Sequence, residues 1–270
     1  MSKPFWNAVT EFVQTMFYTR NQNRKLFETA CLKGNVEMVH LFLTIGTIDL
    51  SGQKILQTLC RVGHLGLGYR RHVEIVDRLL QDGCVDPSAN NNFAIQQASK
   101  NGLVEIVDRL LQDGCVDPSA DDNFAIRYAS LNGHIDVVNR LLQEDRSKNR
   151  VDPSAMGQWA LSFACSYGRT NIVDRLLQDN RVDPSANGNQ ILTWACQHGN
   201  IDVVNLLLQE GRVDPSANNN DALRYALANN HTIVVNRLLQ DEHVKHYAEL
   251  YKQYYKVQHA QLMNFALKIV

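Results

Sequence analysis

Five residues, Val-Asp-Pro-Ser-Ala, occupy positions 85–89 and return at 116–120, 151–155, 182–186 and 213–217. The successive offsets are 31, 35, 31 and 31 residues. A motif returning at nearly one period marks a repeat array. That constrains the chain more than any single residue, because each unit of such an array touches only its neighbours.

The unit is clearest at 90–117. Phe93 to Asn101 reads as a short helix, and Gly102 ends it, since a helix C-terminus favours a left-handed residue without a Cβ. Residues 104–112 read as a second helix with Ile106, Val107, Leu110 and Leu111 on one face. Asp113-Gly114 closes that helix. In the corner that follows, Pro118 fixes φ and the Asp117 carboxylate accepts backbone N–H groups two or three residues on.

Laid in register, seven units appear. The helix-ending position holds Gly34, Gly63, Gly102, Gly133, Gly168, Gly199 and Asn230, and Asn is the other residue that tolerates left-handed geometry. The second helix keeps its apolar face from Met38, Val39, Phe42 and Leu43 to Val234, Val235, Leu238 and Leu239. One helix pair cannot bury that face, but stacked neighbours can.

On these residues the chain resembles the ankyrin repeat family. The likeness lies in two short helices, the small Ala98, the Gly63-His64 and Gly133-His134 junctions, and the Ile-Val…Leu-Leu second helix. It covers roughly 25–240. The resemblance implies an all-α, ankyrin-type helical solenoid of about seven helix-turn-helix repeats. Two departures stand out. The family's Thr-Pro-Leu-His opening is replaced by Phe93-Ala94-Ile95-Gln96, and the period is 31 rather than about 33. The β-hairpin corners are therefore expected to be shortened, with fewer than about a tenth of residues in strands. Arrays of this Asp-Pro-Ser-Ala kind look like those of giant viruses and unicellular eukaryotes.

Three segments are expected: a capping helix over 1–24, the repeats over 25–242 and a helical cap over 243–270. Phe5, Val9, Phe12, Val13, Met16 and Phe17 fall at helical spacing, and 21–24 reads as a polar break. Tyr247, Leu250, Tyr251, Tyr254, Val257, Leu262, Phe265 and Ile269 suggest two further helices. Either end could instead dock a partner. Two insertions interrupt the period, at 65–72 in the turn of the second unit and at 146–149 after the fourth. The first reads as a surface loop or as a basic, Tyr-bearing prong.

A net charge of -1 argues against a dedicated nucleic-acid or membrane-surface protein. No apolar run reaches membrane-spanning length, and the N-terminal residues lack a signal-type apolar core. A cytoplasmic, intracellular monomer is expected, with no cofactor. The six cysteines show no metal-ligand spacing and read as small buried thiols. Asp86, Asp117, Asp152, Asp183 and Asp214 recur with the period and form corners. His64, His134 and His231 share one junction position. No set of groups converges apart from the repeat, so no catalytic or metal residue is assigned. The arginines Arg78, Arg109, Arg140, Arg175 and Arg237 each follow Asp or Asn and read as a partly neutralised face.

The expected function is a non-enzymatic scaffold that binds a protein or peptide on the concave face of the stack. The alternative is a substrate adaptor for a ubiquitin ligase, docking through the terminal helices. In the first helix Ile95, Ala98 and Ser99 point to the core, so Phe93 and Gln97 lie on the other side. Their equivalents are Phe124 and Tyr128, Trp159 and Phe163, Gln190 and Trp194, and Asp221 and Tyr225. These columns change polarity along the array, unlike core columns. A band of Phe93, Phe124, Tyr128, Trp159, Phe163, Trp194 and Tyr225, flanked by Arg127 and Arg224, is the candidate surface. Either the rings wedge between neighbouring first helices and only stabilise the stack, or they anchor a partner.

Overall fold

The computed structural model describes residues 20–45, 54–62, 69–83, 85–143 and 150–250. All regular structure among them is helical, with no strand, as the shortened corner predicts. Residues 1–19 of the cap expected over 1–24, the insertion at 146–149 and the second C-terminal helix beyond 250 lie outside the described residues.

The chain divides into two compact units, Met1–Val151 and Asp152–Val270. The first holds four helix pairs: α1 (Arg20–Leu32) with α2 (Val36–Ile45), α3 (Ile55–Val62) with α4 (Tyr69–Gln81), α5 (Ala89–Lys100) with α6 (Val104–Gln112), and α7 (Ala120–Asn132) with α8 (Ile135–Leu142). The second holds three: α9 (Ala155–Ser166) with α10 (Thr170–Leu177), α11 (Ala186–Gln197) with α12 (Ile201–Glu210), and α13 (Ala217–Ala228) with α14 (Thr232–Leu238). Within each unit a first helix packs on its own second helix and on the next first helix, and the second helices stack likewise. This is the ankyrin-type helical repeat arrangement.

The cores follow the predicted periodicity. Ile95, Ala98, Ile106, Val107 and Leu110 are fully buried in the first unit, as are Leu161, Ala164, Ile172, Val173 and Leu176 in the second. Wherever the junction lies among the described residues, the helix pair turns on a left-handed residue: φ is +67° at Gly34, +73° at Gly102 and +60° at Asn230. Between layers, the next junction side chain reaches back to the preceding first helix. His134 Nε2 lies 3.0 Å from Lys100 O, His231 Nε2 lies 2.9 Å from Gln197 O, and Asn200 Nδ2 donates to Cys165 O at 2.7 Å. A carbonyl only accepts, so each imidazole must donate from Nε2. His134 and His231 are parts of the turn.

The arginine column also links layers. Arg109 Nε lies 3.0 Å from Asp77 Oδ1, Arg140 pairs with Asp108, and Arg237 Nε donates to Asn205 Oδ1 at 2.9 Å. Each residue reaches the second helix before its own.

The corner differs from expectation in one respect. Asp117 Oδ1 does accept Ser119 N–H at 2.9 Å and Ser119 Oγ–H at 2.6 Å, and Asp86, Asp152, Asp183 and Asp214 hold their serines in the same way. The Ser185 hydroxyl and N–H hold the Asp183 carboxyl below its usual range. The chain then enters one left-handed turn before the right-handed helix begins. Asn90, Asn91 and Asn92 have φ of +55°, +58° and +61°, and the same three positions repeat at 121–123, 156–158, 187–189 and 218–220. Left-handed residues are normally single, since each costs a non-glycine residue about 1–2 kcal/mol.

Two further expectations change. Residues 21–24 form the start of α1 rather than a break. Tyr69, Arg70, Arg71 and His72, read as part of a loop, add a turn to α4. That turn is bound inward: Tyr69 Oη accepts Glu105 N–H at 3.3 Å, and His72 Nε2 lies 3.2 Å from Leu32 O. Burial raises the Tyr69 phenol above its ordinary pKa.

Candidate functional site

Helical geometry sets the candidate surface. With Ala94, Ile95, Ala98 and Ser99 buried, positions 93 and 97 stand on the outer side of α5, one turn apart. The same holds for 124 and 128 on α7, where Ala125, Ile126, Ala129 and Ser130 fill the core.

In the first unit Phe93, Phe124 and Tyr128 are half-buried. Phe124 and Tyr128 stack with centroids 3.9 Å apart and planes at 16°. Arg127 lies beside both rings, its guanidinium carbon 6.0 Å and 5.9 Å from their centroids. This arginine is only 6% exposed. Its Nε donates to Asp122 O at 2.9 Å and its terminal nitrogen to Asp121 O at 3.0 Å. These are carbonyls of the left-handed turn, so Arg127 braces the ring pair and the turn from within. Gln96 braces the turn one layer earlier, donating to Asn91 O at 2.7 Å. Lys100 Nζ sits 5.7 Å from the Tyr128 ring.

In the second unit Trp159 is 39% exposed and Tyr225 42% exposed, with Phe163 and Trp194 half-buried. Trp159 and Phe163 tilt against each other at 5.5 Å. Arg224 and Tyr225 line an open cleft of about 590 Å³, together with Leu223, Leu227, Tyr247 and Ala248. Its far wall is the helical stretch at 242–250. Arg224 is exposed and pairs with Asp221 at 2.8 Å.

Sequence reasoning missed the residues that hold one left-handed turn to the next corner. Asn92 Oδ1 accepts Asp117 N–H at 2.7 Å, Gln158 Oε1 accepts Asp183 N–H at 2.9 Å, and Asn189 Oδ1 accepts Asp214 N–H at 2.8 Å. Each bond spans 25 residues. Clusters of Asn, Asp and Gly at three fixed offsets follow four of the five Pro-Ser-Ala motifs, marking the positions but not their conformation.

No three His, Cys, Asp or Glu side chains gather as a metal site among the described residues. No described helix is long and apolar enough to cross a membrane. Burial pushes the Cys31, Cys60 and Cys196 thiols up to about 12, and that of Cys165 also upward. None of these is set up as a nucleophile.

A family model described as ankyrin repeats matches three overlapping stretches, 67–152, 126–219 and 161–249, together more than half of the chain. No curated protein matches it.

Proposed function

The chain belongs to the ankyrin repeat family, whose repeats are generally protein–protein interaction modules, and from that premise we propose that the solvent-facing side of its first helices, the concave side expected from the sequence, binds a protein or peptide. One observation carries the reading. Phe93, Phe124 and Tyr128 in the first unit, and Trp159, Phe163, Trp194 and Tyr225 in the second, keep part of their ring surface outside cores that are otherwise closed. Apolar rings left partly wet at regular spacing supply area at small entropic cost, which is how aromatic anchors work at interfaces. Arg224, at the edge of the cleft beside Tyr225, adds a charged contact. Arg127 contributes by fixing the orientation of Phe124 and Tyr128.

The test is the double variant Tyr128→Ser with Trp194→Ser, assayed by affinity capture from the native source with quantitative mass spectrometry. Loss of a reproducible partner with an unchanged melting temperature supports a binding face. Stability falling by the roughly 3–5 kcal/mol typical of a truncated buried aromatic would show that the rings only support the stack.

A further inference from the structure

The first helices of the first unit carry a second kind of surface beside the rings. Measured from the junction glycines, three outward columns run along α1, α3, α5 and α7. They are Lys25, Lys54, Phe93 and Phe124; then Thr29, Thr58, Gln97 and Tyr128; then Leu32, Arg61, Lys100 and Leu131. The cations gather toward α1, α3 and α5, and the rings toward α5 and α7. Lys25, Lys54, Arg61 and Lys100 are all exposed. Among the described residues none of the four has a carboxylate partner, whereas Arg24 pairs with Glu28 on the same helix. Asp121 and Asp122 are exposed at the ring end, beside Phe124.

Two shallow clefts separate these helices. One, about 260 Å³, lies between α1 and α3 and is lined by Arg24, Glu28, Leu32, Lys54, Ile55 and Thr58. The other, about 330 Å³, lies between α3 and α5, and Lys54, Arg61 and Phe93 are among its walls. Lys54 borders both. Lys54 and Arg61 at these clefts, Phe93 in the wall of the second, and Lys100 over the Tyr128 ring form a surface that is electropositive at one end and apolar at the other.

We propose that this face recognises an extended acidic protein segment. Its carboxylates meet Lys25, Lys54, Arg61 and Lys100, and its apolar residues continue onto Phe93, Phe124 and Tyr128. The proposal rests on the binding face argued above and specifies the partner's chemistry and direction. Packed helices lie about 8–10 Å apart and an extended chain advances about 3.3 Å per residue. A segment crossing the helices therefore sets a side chain over each successive layer about every third residue. The fitting pattern is Glu-x-x-Glu-x-x-Leu-x-x-Phe. Asp121 and Asp122 repel acid at the ring end and so fix the order, acidic residues first and the aromatic last. Charge complementarity of this kind governs partner choice and on-rate more than raw affinity.

The test uses the full chain and a synthetic peptide of that pattern, read by fluorescence anisotropy at two ionic strengths. A Gln-x-x-Gln-x-x-Leu-x-x-Phe peptide and a single-stranded oligonucleotide serve as comparisons. The acidic peptide is expected to bind, to weaken with salt, and to lose about tenfold or more in affinity to Lys54→Glu with Arg61→Glu, since opposed like charges are strongly unfavourable. Both residues are exposed, so an unchanged melting temperature confirms that the fold is intact. A Lys54→Ala, Arg61→Ala pair should show a smaller loss in the same direction. Four results would each overturn the proposal: no binding of the acidic peptide, equal binding of the Gln peptide, indifference to charge reversal, or tighter binding of the oligonucleotide. Loss of the native partner in the Tyr128→Ser, Trp194→Ser variant alongside any of those results would leave the binding face standing and remove only the acidic partner.

Discussion

Gly102 shows why one residue type recurs at the end of the first helix. Its φ is +73°, and a Cβ added there would lie 2.5 Å from Nδ1 of His134, the ring that reaches over from the next layer. Glycine therefore answers two demands at once, backbone sign and room for the neighbouring imidazole. Gly102→Ala should destabilise the protein by about 1–3 kcal/mol from backbone strain alone, with more from displacement of His134. Gly199→Ala should behave alike, since His231 occupies the equivalent place at 2.5 Å. Asn230→Gly should be neutral or mildly stabilising, because nothing but the φ of +60° is at stake there. Chemical denaturation of the three variants checks this, and an unchanged midpoint for Gly102→Ala would contradict it. Met156 presents the reverse case. It holds φ of +56° and is exposed, where the other left-handed turns begin with Asn or Asp. Met156→Asn should stabilise the fold by about 1 kcal/mol, the lower end of the left-handed penalty for an ordinary side chain.

The left-handed turn is the element that distinguishes these repeats from a plain helix pair. Its strain is offset by bonds to other layers: the third residue receives the next corner's Asp N–H, and Asn218 Nδ2 donates to Gly188 O at 2.8 Å. The last turn breaks the series. Asn220 is 5% exposed, and its Oδ1 has no hydrogen-bond partner among the described residues. Position 245, where the corner Asp would stand, is Lys245 in a helical stretch. Asn189→Gly should therefore cost about 0.5–1.5 kcal/mol, the net worth of an ordinary hydrogen bond, by removing the acceptor of the exposed Asp214 N–H. Asn220→Gly, which keeps the backbone freedom and removes an unpaired buried acceptor, should cost nothing or stabilise. Equal losses in a urea titration would sink the ladder. Much of this unit was legible in the sequence. The helix pairs followed from Ile106, Val107, Leu110 and Leu111 at helical spacing, and the junctions from the glycines. The outward placement of Phe124 and Tyr128 followed from columns that change polarity. The left-handed turn was not legible, because Asn-Asn-Asn reads equally well as any tight loop and consecutive left-handed residues are rare. The burial of Arg127, expected to flank the band, was not legible for the same reason: its guanidinium reaches the carbonyls of a turn that the residue pattern alone did not reveal.

At the scale of the whole molecule, stability in a repeat array is the sum of what each layer does for itself and for its neighbours. Each compact unit carries its own reporters of that sum. Cys31 and Cys60 occupy one core position in successive layers of the first unit, and Cys165 and Cys196 occupy it in the second. All four are free and buried, while Cys115 is free and exposed. Thiols react as thiolates, and burial pushes three of the buried four up to about 12 and the other upward as well. In a Cys84→Ser background, a brief pulse of maleimide at neutral pH should modify Cys115 and leave these four intact. The buried thiols should react only when their layers open, at a rate set by the free energy of that opening. Because adjacent layers share a core face, Cys165 and Cys196 should become reactive over the same range of urea, and Cys31 and Cys60 over a common range of their own. Peptide mapping after graded labelling reads the four sites separately. Reaction of Cys196 at concentrations that still protect Cys165 would mean that the layers of the second unit open one at a time, and that the bonds of Asn200 to the carbonyls of Cys165 and Ser166, at 2.7 Å and 2.9 Å, do not couple their unfolding.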